Sequence, residues 1–338
     1  MIYEVEFAPG LLAVVRDEVT NTIKNKGHVI GSSRDDSLQF TYDGNVSDLI
    51  DLRTVIALYQ VLQFEIPRPK ALLGHEHFHR LIDAIRAMLN LQDYKTLYLS
   101  AAGSDSSVMQ RIKTDISQHL GLEIADEEGD LLLRIRRTPK TKQGWDVLFR
   151  LTPRPLATRD WRVCNLEGAL NASVAAAIVH LTNPTPDDHF LNIACGSGTM
   201  MIERAKLPFA TLTGSDISSD VLRCATENMK AAQVNDYSLL HSDAIQLPIA
   251  SQSINKLVAD LPFGQLVGSH DENEWLYPAI LHEAARVAKK SACFVVITHE
   301  IRLMESILDN QNSWKLAQPP IKITLSGLHP RIYILERH

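Results

Sequence analysis

The sequence predicts an α/β protein whose second half is a mostly parallel, doubly wound sheet with an antiparallel hairpin at the C-terminus. From about residue 162 onward, short apolar strands alternate with helical segments, which is typical of a parallel sheet with helices on both faces. At the end of the chain, two strand-like segments flank G-L-H-P (327–330), which indicates a hairpin. The first half mixes strands and helices without this alternation and predicts an α+β region with helices packed on antiparallel sheets.

The elements of the first half follow from local patterns of apolar residues. Alternating or continuous apolar runs predict strands at 3–7, 28–31, 37–42, 96–100, 130–137 and 145–151. Apolar residues at helical spacing predict helices at 11–23, 47–59, 77–89 and 104–120. Two prolines, Pro153 and Pro155, exclude helix and mark a domain boundary within 152–161, with a linker extending to about 165.

The second half is predicted in the same way. Its strands are expected at 189–194, 210–216, 237–243, 254–260 and 292–298. Its helices are expected at 169–181, 200–205, 220–232 and 276–288.

Composition excludes several classes of protein. The chain has 338 residues, 45% of them hydrophobic and 22% charged, which is ordinary for a globular protein. No apolar run approaches a membrane span, and the acidic N-terminus lacks the basic region of a signal peptide, so we expect a cytoplasmic protein. The four cysteines are scattered and are expected to be reduced. We expect no metal site, although His75, His77 and His79 alternate.

Basic residues concentrate in one stretch of an acidic protein. The net charge is −6, yet residues 131–162 carry nine basic side chains against two acidic ones. One interpretation is a solvated strand face with its linker. The other is a surface that binds the phosphates of a nucleic acid, since lysine and arginine release counterions from a polyanion.

A glycine turn follows the first strand of the second half. In N-I-A-C-G-S-G-T-M (192–200), Gly196 and Gly198 permit a tight turn and close approach of a ligand to the backbone. A dinucleotide fingerprint needs a third small residue where Met201 stands, and no phosphate-loop lysine is present. The turn therefore favours a cofactor without a diphosphate, such as S-adenosylmethionine.

Acidic residues end the next three strands. Asp216 lies 20 residues after Gly196, Asp243 lies 27 further on, and Asp260 another 17. Because the carboxyl ends of parallel strands meet in one crevice, we expect these groups to surround one ligand. Asp216 would accept hydrogen bonds from ribose hydroxyls, and Asp243 from the adenine amino group.

The stretch D-L-P-F (260–263) predicts a pocket for a flat, amine-bearing ring. The Asp260 carboxylate and the Leu261 carbonyl would accept the two amine hydrogens and stabilise the positive charge that develops on the nitrogen when it reacts. Pro262 would fix the direction of that carbonyl, and Phe263 would stack on the base. The simpler alternatives are that Phe263 is a core ring and that Asp260 caps a helix.

Five stretches make the chain resemble the bacterial THUMP-domain tRNA guanine-N2 methyltransferases of class I. They are F-R-L-T-P-R-P-L (149–156), L-E-G-A-L-N-A-S-V-A-A-A (166–177), C-G-S-G-T (195–199), D-L-P-F-G (260–264) and G-S-H-D-E-N-E-W-L-Y-P (268–278). The resemblance implies a Rossmann-like catalytic domain at 156–338, preceded by a ferredoxin-like domain at 1–60 and a THUMP RNA-binding domain at 61–155. Asn192 and Leu261 depart from residues common in such families, where aspartate and proline are usual.

The resemblance and the strand ends together give the expected site. S-adenosyl-L-methionine is the expected cofactor, and its expected contacts are Asn192, Ala194, Gly196, Ser197, Gly198, Thr199, Asp216, Ile217, Ser242, Asp243, Ala244 and Asp260. The expected catalytic residues are Asp260, Leu261, Pro262 and Phe263. The expected RNA contacts are Arg134, Arg136, Arg137, Lys140, Lys142 and Arg154.

The expected partner is tRNA, held at its acceptor stem and 3′ end by a monomeric enzyme. The expected reaction is methylation of the exocyclic N2 of an acceptor-stem guanosine, with position 6 favoured. Two alternatives stay open: an enzyme that methylates guanine-N2 in ribosomal RNA or adenine-N6, and an RNA-binding module without turnover.

Overall fold

The structure, a computed structural model, describes residues 1–90, 92–139, 144–263, 269–325 and 327–338, and only the backbone of Ser33. The chain divides into two compact units. Unit 1 comprises Met1–Phe7 and Arg16–Leu156, and unit 2 comprises Ala8–Val15 and Ala157–His338. The change of unit at Leu156 falls within the stretch expected to form the domain boundary.

The described residues of unit 1 form one mixed sheet of eight strands. They are β1 (Ile2–Glu6), β2 (Gly27–Arg34), β3 (Ser37–Tyr42), β4 (Ala57–Phe64), β5 (Thr96–Ala101), β6 (Glu123–Ile124), β7 (Leu131–Arg137) and β8 (Trp145–Arg150). Their order is β2-β3-β1-β4-β8-β7-β5-β6. Neighbours are antiparallel except that β5 runs parallel to β6 and β7, so the expected antiparallel sheet is mixed at this edge.

Four α-helices lie in the described part of the first 156 residues. They are α1 (Leu12–Ile23), α2 (Val46–Ile50), α3 (His75–Leu89) and α4 (Ser107–Leu120). The expected helix at 47–59 is wrong, because α2 ends at Ile50 and β4 begins at Ala57. β4 is hydrogen-bonded on both sides, to β1 and β8, and this pairing outweighs the local helical spacing. The division into domains at residue 60 falls inside β4 and stays a prediction.

Unit 2 contains the predicted, mostly parallel sheet. Its strands are β9 (His189–Ile193), β10 (Thr211–Asp216), β11 (Ser238–His241), β12 (Ile254–Asp260), β13 (Ala288–Thr298), β14 (Trp314–Leu316), β15 (Ile321–Lys322) and β16 (Arg331–Arg337). The order is β11-β10-β9-β12-β13-β16-β14, and β15 also pairs with β16. Strands β9 to β13 are parallel, while β16 is antiparallel to β13, β14 and β15. The expected fold class and C-terminal hairpin are confirmed.

The strand order fixes where a ligand can bind. From β9 the chain winds outward to β10 and β11, and then returns to the other side of β9 as β12 and β13. The order therefore reverses between β9 and β12. In open α/β sheets a crevice forms at such a point, outside the carboxyl ends of the strands.

Among the residues of unit 2 that the structure describes, five α-helices accompany this sheet. They are α5 (Ala172–Leu181), α6 (Thr199–Arg204), α7 (Ser219–Ala231), α8 (His270–Val287) and α9 (Ile301–Asp309). Apolar residues of β9, β12 and β13 pack with those of α8 and α9 in one core, with Tyr277, Phe294 and Trp314 among its largest side chains. The sequence did not predict α9 or β14. No helix in the described part of the chain is long and apolar enough to cross a membrane.

Candidate active site

A cavity of about 510 Å3 opens at the crevice between β9 and β12. Its wall is built from residues 166–170, the turn after β9, the end of β10, residues 260–263 and Leu328. This volume lies in the range of small-molecule sites, about 300–1,000 Å3. The glycine turn and the D-L-P-F stretch, far apart in sequence, therefore line the same cavity.

The turn after β9 is held in a backbone conformation that places it against β10. Ala194, Gly196 and Gly198 have positive φ angles of 50°, 55° and 80°. The Gly196 N–H donates to Oδ2 of Asp216 over 3.0 Å, and the Cys195 N–H donates to the Ser215 carbonyl over 2.8 Å. These hydrogen bonds connect the turn after β9 to the end of β10. The two predicted strand ends at Gly196 and Asp216 therefore lie side by side.

Asp216 lies where the sequence predicts a ribose acceptor. Its second oxygen, Oδ1, accepts from the Ser218 N–H over 3.1 Å. Each carboxylate oxygen has further lone pairs available to a ligand in the cavity. Ile217 follows with 66% of its surface exposed, and it lines the same cavity. A carboxylate beside an uncovered apolar side chain suits a ribose attached to a flat base.

Asp260 ends β12 and lines the opposite part of the cavity. Among the described residues its carboxylate accepts no hydrogen bond. Burial raises the pKa of Asp260 to about 7, because a carboxylate away from water and without partners is unfavourable. The predicted helix-cap alternative has no support in this geometry, and the carboxylate remains available to a donor entering the cavity.

The rest of the D-L-P-F stretch is fixed to the fold. The Leu261 N–H donates to the Ile297 carbonyl over 3.1 Å. Phe263 is half-buried and lines the cavity, and its ring centroid lies 6.0 Å from that of His299. Phe263 is therefore not a ring buried in the core. The end of the family-like motif, at Gly264, lies outside the described residues.

One wall of the cavity consists of residues that were not among the predicted contacts. Residues 166–170 line it, and Arg162 holds them by donating to the Leu170 carbonyl over 2.9 Å and to Oγ1 of Thr199 over 3.0 Å. The buried side chain of Asn228 on α7 accepts from the Cys164 N–H and donates to the Ser197 carbonyl. The only sequence signal was the family-like stretch that begins at residue 166.

The expectation that all four cysteines are reduced is wrong. Cys164 and Cys224 form a disulfide that joins the segment before residue 166 to α7, with Cα atoms 5.4 Å apart. Cys195 and Cys293 are free. Sixty residues separate the two bonded cysteines, so their spacing in the sequence gives no sign of the pairing.

We expect two free thiols per chain when the protein is denatured without reductant, and four after reduction. The double variant Cys164→Ser/Cys224→Ser is expected to lower the free energy of unfolding by about 2–4 kcal/mol, because the unfolded chain loses a constraint over a long loop. Thiol titration and urea denaturation measure both effects. Cys293→Ser is the control for loss of a sulfur outside the bond, and four titratable thiols in the unreduced protein would contradict the pairing.

Some predicted cofactor contacts do not reach the cavity wall. Asn192 is fully buried in β9, and its Nδ2 donates to the carbonyls of Ile193 and Val258. The remaining four lie elsewhere: Gly198, Ser242, Asp243 and Ala244 are absent from the wall. Oδ1 of Asp243 accepts from the Ile245 N–H over 3.1 Å. Contact of these residues with a cofactor stays a prediction.

The other predicted cofactor and catalytic residues lie together in the cavity wall. They are Ala194, Gly196, Ser197, Thr199, Asp216, Ile217, Asp260, Leu261, Pro262 and Phe263.

The predicted RNA contacts in unit 1 have mixed surroundings. Arg134 forms an ion pair with Glu6, and Arg136 forms one with Glu4, so their charges are balanced locally. Arg137 is exposed, with its guanidinium 5.2 Å from the centroid of the Trp145 ring.

Of the other three predicted RNA contacts, one is exposed and two are not described by the structure. Arg154 is exposed, whereas Lys140 and Lys142 lie outside the described residues. An RNA contact stays a prediction for all six basic residues.

The fold and the site are similar to those of α/β methyltransferase domains. Residues 159–322 match the family model described as UPF0020, RMKL-like, methyltransferase domain. The resemblance to class I methyltransferases predicted from the sequence is thereby confirmed for this part of the chain.

Relatives and solved structures extend the likeness. The chain is 26% identical over 183 residues to the tRNA (guanine(6)-N(2))-methyltransferase THUMP3 of Mus musculus, covering 50% of this chain and 36% of that protein. It is 25% identical over 190 residues to the tRNA (guanine(6)-N2)-methyltransferase of Thermus thermophilus, covering 56% of each. The match thus spans only about a third to a half of these relatives.

The crystal structure of TrmN from Thermus thermophilus shares the fold over the whole chain. It superimposes with a TM-score of 0.77 at 19% identity, covering 100% of this chain and 99% of that one.

Proposed function

We propose that the protein transfers a methyl group from S-adenosylmethionine to the exocyclic N2 of a guanosine in tRNA. The observation that carries this proposal is the shared cavity. It joins a glycine turn and a ribose-type carboxylate on one side to Asp260 of D-L-P-F on the other, whose carboxylate has no partner among the described residues. Such an arrangement brings a cofactor and an amine-bearing ring into contact.

The cofactor half of the cavity fits S-adenosylmethionine by its chemistry. Asp216 would accept from the ribose hydroxyls, and Ile217 would cover a face of the adenine. The turn at Gly196 lets the backbone approach the ligand closely, because glycine presents no side chain there. S-adenosylmethionine supplies the electrophilic methyl group when it is bound.

The other half of the cavity is suited to an aromatic amine. The lone pair of the guanine amine is conjugated with the ring, so the nitrogen becomes more nucleophilic when its hydrogens are held by acceptors. Asp260 is such an acceptor, and it can take the proton that the nitrogen loses after transfer. Phe263 would stack on the base once it has left its helix, a contact of about 1–3 kcal/mol.

The choice of tRNA and of position 6 in the acceptor stem is supported by the names of the relatives alone. Both the mouse and the Thermus protein are named for guanine(6)-N2 methylation of tRNA. In this proposal, exposed cationic side chains of unit 1 such as Arg137 and Arg154 bind the phosphates of the RNA. The cytoplasmic location and the monomeric state stay predictions.

Transfer of a labelled methyl group tests the proposal. We expect the purified protein to move tritium from S-adenosylmethionine into tRNA of cells that lack it, with the label recovered as N2-methylguanosine. A matched tRNA transcript with adenosine at position 6 is expected to stay unlabelled. Label in N6-methyladenosine or only in ribosomal RNA would favour the alternative targets, and binding of tRNA without transfer would favour a non-catalytic module.

A further inference from the structure

One carbonyl in the D-L-P-F stretch is held by two buried side chains of α8. The Pro262 carbonyl oxygen accepts from Nδ2 of Asn273 over 3.0 Å and from the Tyr277 hydroxyl over 2.6 Å. Both side chains come from residues with no exposed surface. Because a carbonyl oxygen has two lone pairs, this one is fully used and is not available to a substrate.

The direction of the hydrogen bonds in this network is determined. The Tyr277 hydroxyl has one proton, which goes to the Pro262 carbonyl, so the Thr298 hydroxyl must donate to Tyr277 over 2.7 Å. The Thr298 oxygen in turn accepts from the Glu300 N–H over 2.9 Å. This chain, in which each group polarises the next, links the end of β13 to the D-L-P-F stretch.

The Leu261 carbonyl lies between two fixed groups. On one side, the Leu261 N–H is bonded to β13, and on the other the Pro262 carbonyl is bonded to α8. The proline ring restricts the rotation that remains between them. The Leu261 carbonyl itself accepts no hydrogen bond among the described residues, and Leu261 lines the cavity.

We propose that Tyr277 and Asn273 are positioning residues that aim the Leu261 carbonyl at the substrate amine. Tyr277 and Asn273 bind the Pro262 carbonyl, so that it does not compete for the substrate amine. The Asp260 carboxylate and the Leu261 carbonyl then form the acceptor pair for the two amine hydrogens. This inference rests on the proposed function. Two acceptors match a group with two N–H donors and disfavour a hydroxyl, which has one.

The variant Tyr277→Phe tests this role, because it removes the hydroxyl and keeps the ring. The single-turnover rate of methyl transfer is expected to fall about 10–100-fold, since a small misplacement of a reacting group has effects of this size. Equilibrium binding of S-adenosylmethionine and of tRNA is expected to stay within about twofold, because neither of these contacts Tyr277 in the proposal. A purely structural role would leave the rate of the folded protein unchanged.

Tyr333→Phe is the matched control. Tyr333 is fully buried in the same core, and its hydroxyl takes no part in the Pro262 network. Its variant is expected to transfer methyl groups at the rate of the unchanged protein. Equal rates for Tyr277→Phe and the unchanged protein would overturn the proposal, as would equal losses in both variants.

A crystal structure of Tyr277→Phe separates this inference from the proposed function. The Leu261 carbonyl is expected to be turned from its original direction or to occupy two positions, whether or not the protein methylates tRNA. An unmoved Leu261 carbonyl would overturn the positioning role. Absence of any transfer by the unchanged protein would instead overturn the proposed function, and the crystal structure would still decide the role of Tyr277.

Discussion

Replacing Asp260 with asparagine is expected to reduce the rate of methyl transfer about 10²–10³-fold, the range found when one preorganised polar contact to a transition state is removed. An asparagine keeps an acceptor oxygen but carries no charge and cannot take up a proton. Asp260 lines the cavity, and its carboxylate has no competing partner among the described residues. Single-turnover transfer of tritiated methyl to tRNA measures the effect.

Binding measurements show whether this loss concerns the chemical step. Asp260→Asn is expected to bind tRNA as tightly as the unchanged protein, and to bind S-adenosylmethionine with little change. Asp236→Asn, at an exposed position after α7, removes the same charge away from the cavity and should keep the full rate. A rate for Asp260→Asn within about threefold of the control would contradict the catalytic role, because such a loss is below 1 kcal/mol.

Because the pKa of Asp260 is raised, the variant Asp260→Asn is also expected to change how the stability of the protein depends on pH. The pKa of Asp260 is about 7 in the folded protein and about 4 in the unfolded chain. The contribution of this carboxyl to the free energy of unfolding is therefore largest below pH 4. That contribution is lost as the pH rises to 7. Asparagine does not titrate, so the stability gained by Asp260→Asn should be about 2–3 kcal/mol larger at pH 8 than at pH 5. Urea denaturation at both pH values checks this sign.

The parts of the site that follow strand ends were predictable from the sequence. The groups at Gly196, Asp216 and Asp260 are far apart in the chain, yet the parallel sheet brings them to one cavity. This works because the strand type and direction alone decide that carboxyl ends meet at one edge. The same rule also predicts Asp243 at this edge, but its carboxylate lies outside the cavity wall and bonds the backbone of its own turn, so its contact with the cofactor stays a prediction.

The parts that depend on contacts between distant residues were not predictable. In the sequence, Tyr277 is indistinguishable from an ordinary core residue of α8. Only the structure shows that its hydroxyl donates to the Pro262 carbonyl. The pairing of Cys164 with Cys224 has no local signature either. In β4, local helical spacing was misleading, because hydrogen bonds to two neighbouring strands decide the conformation. Each of these features is set by tertiary packing rather than by local propensity.

Replacing Asp216 with alanine is expected to weaken the binding of S-adenosylmethionine about 10²–10³-fold. Two losses combine: the hydrogen bonds from the ribose hydroxyls to a charged acceptor, each about 1.5–3 kcal/mol, and the bonds that hold the turn at Gly196 and Ser218. Because the second loss loosens the turn itself, the more conservative Asp216→Asn is expected to retain part of the affinity.

Calorimetric titration of the cofactor against the folded protein measures this affinity without requiring any turnover. The matched control is Asp220→Ala, which removes a carboxylate four residues further on, at a side chain that is 78% exposed and paired with Arg223. Asp220→Ala should bind the cofactor like the unchanged protein. If Asp216→Ala also bound it within about threefold, a difference below 1 kcal/mol, then the ribose would not lie at the end of β10, and the cofactor would have to occupy the cavity in another orientation.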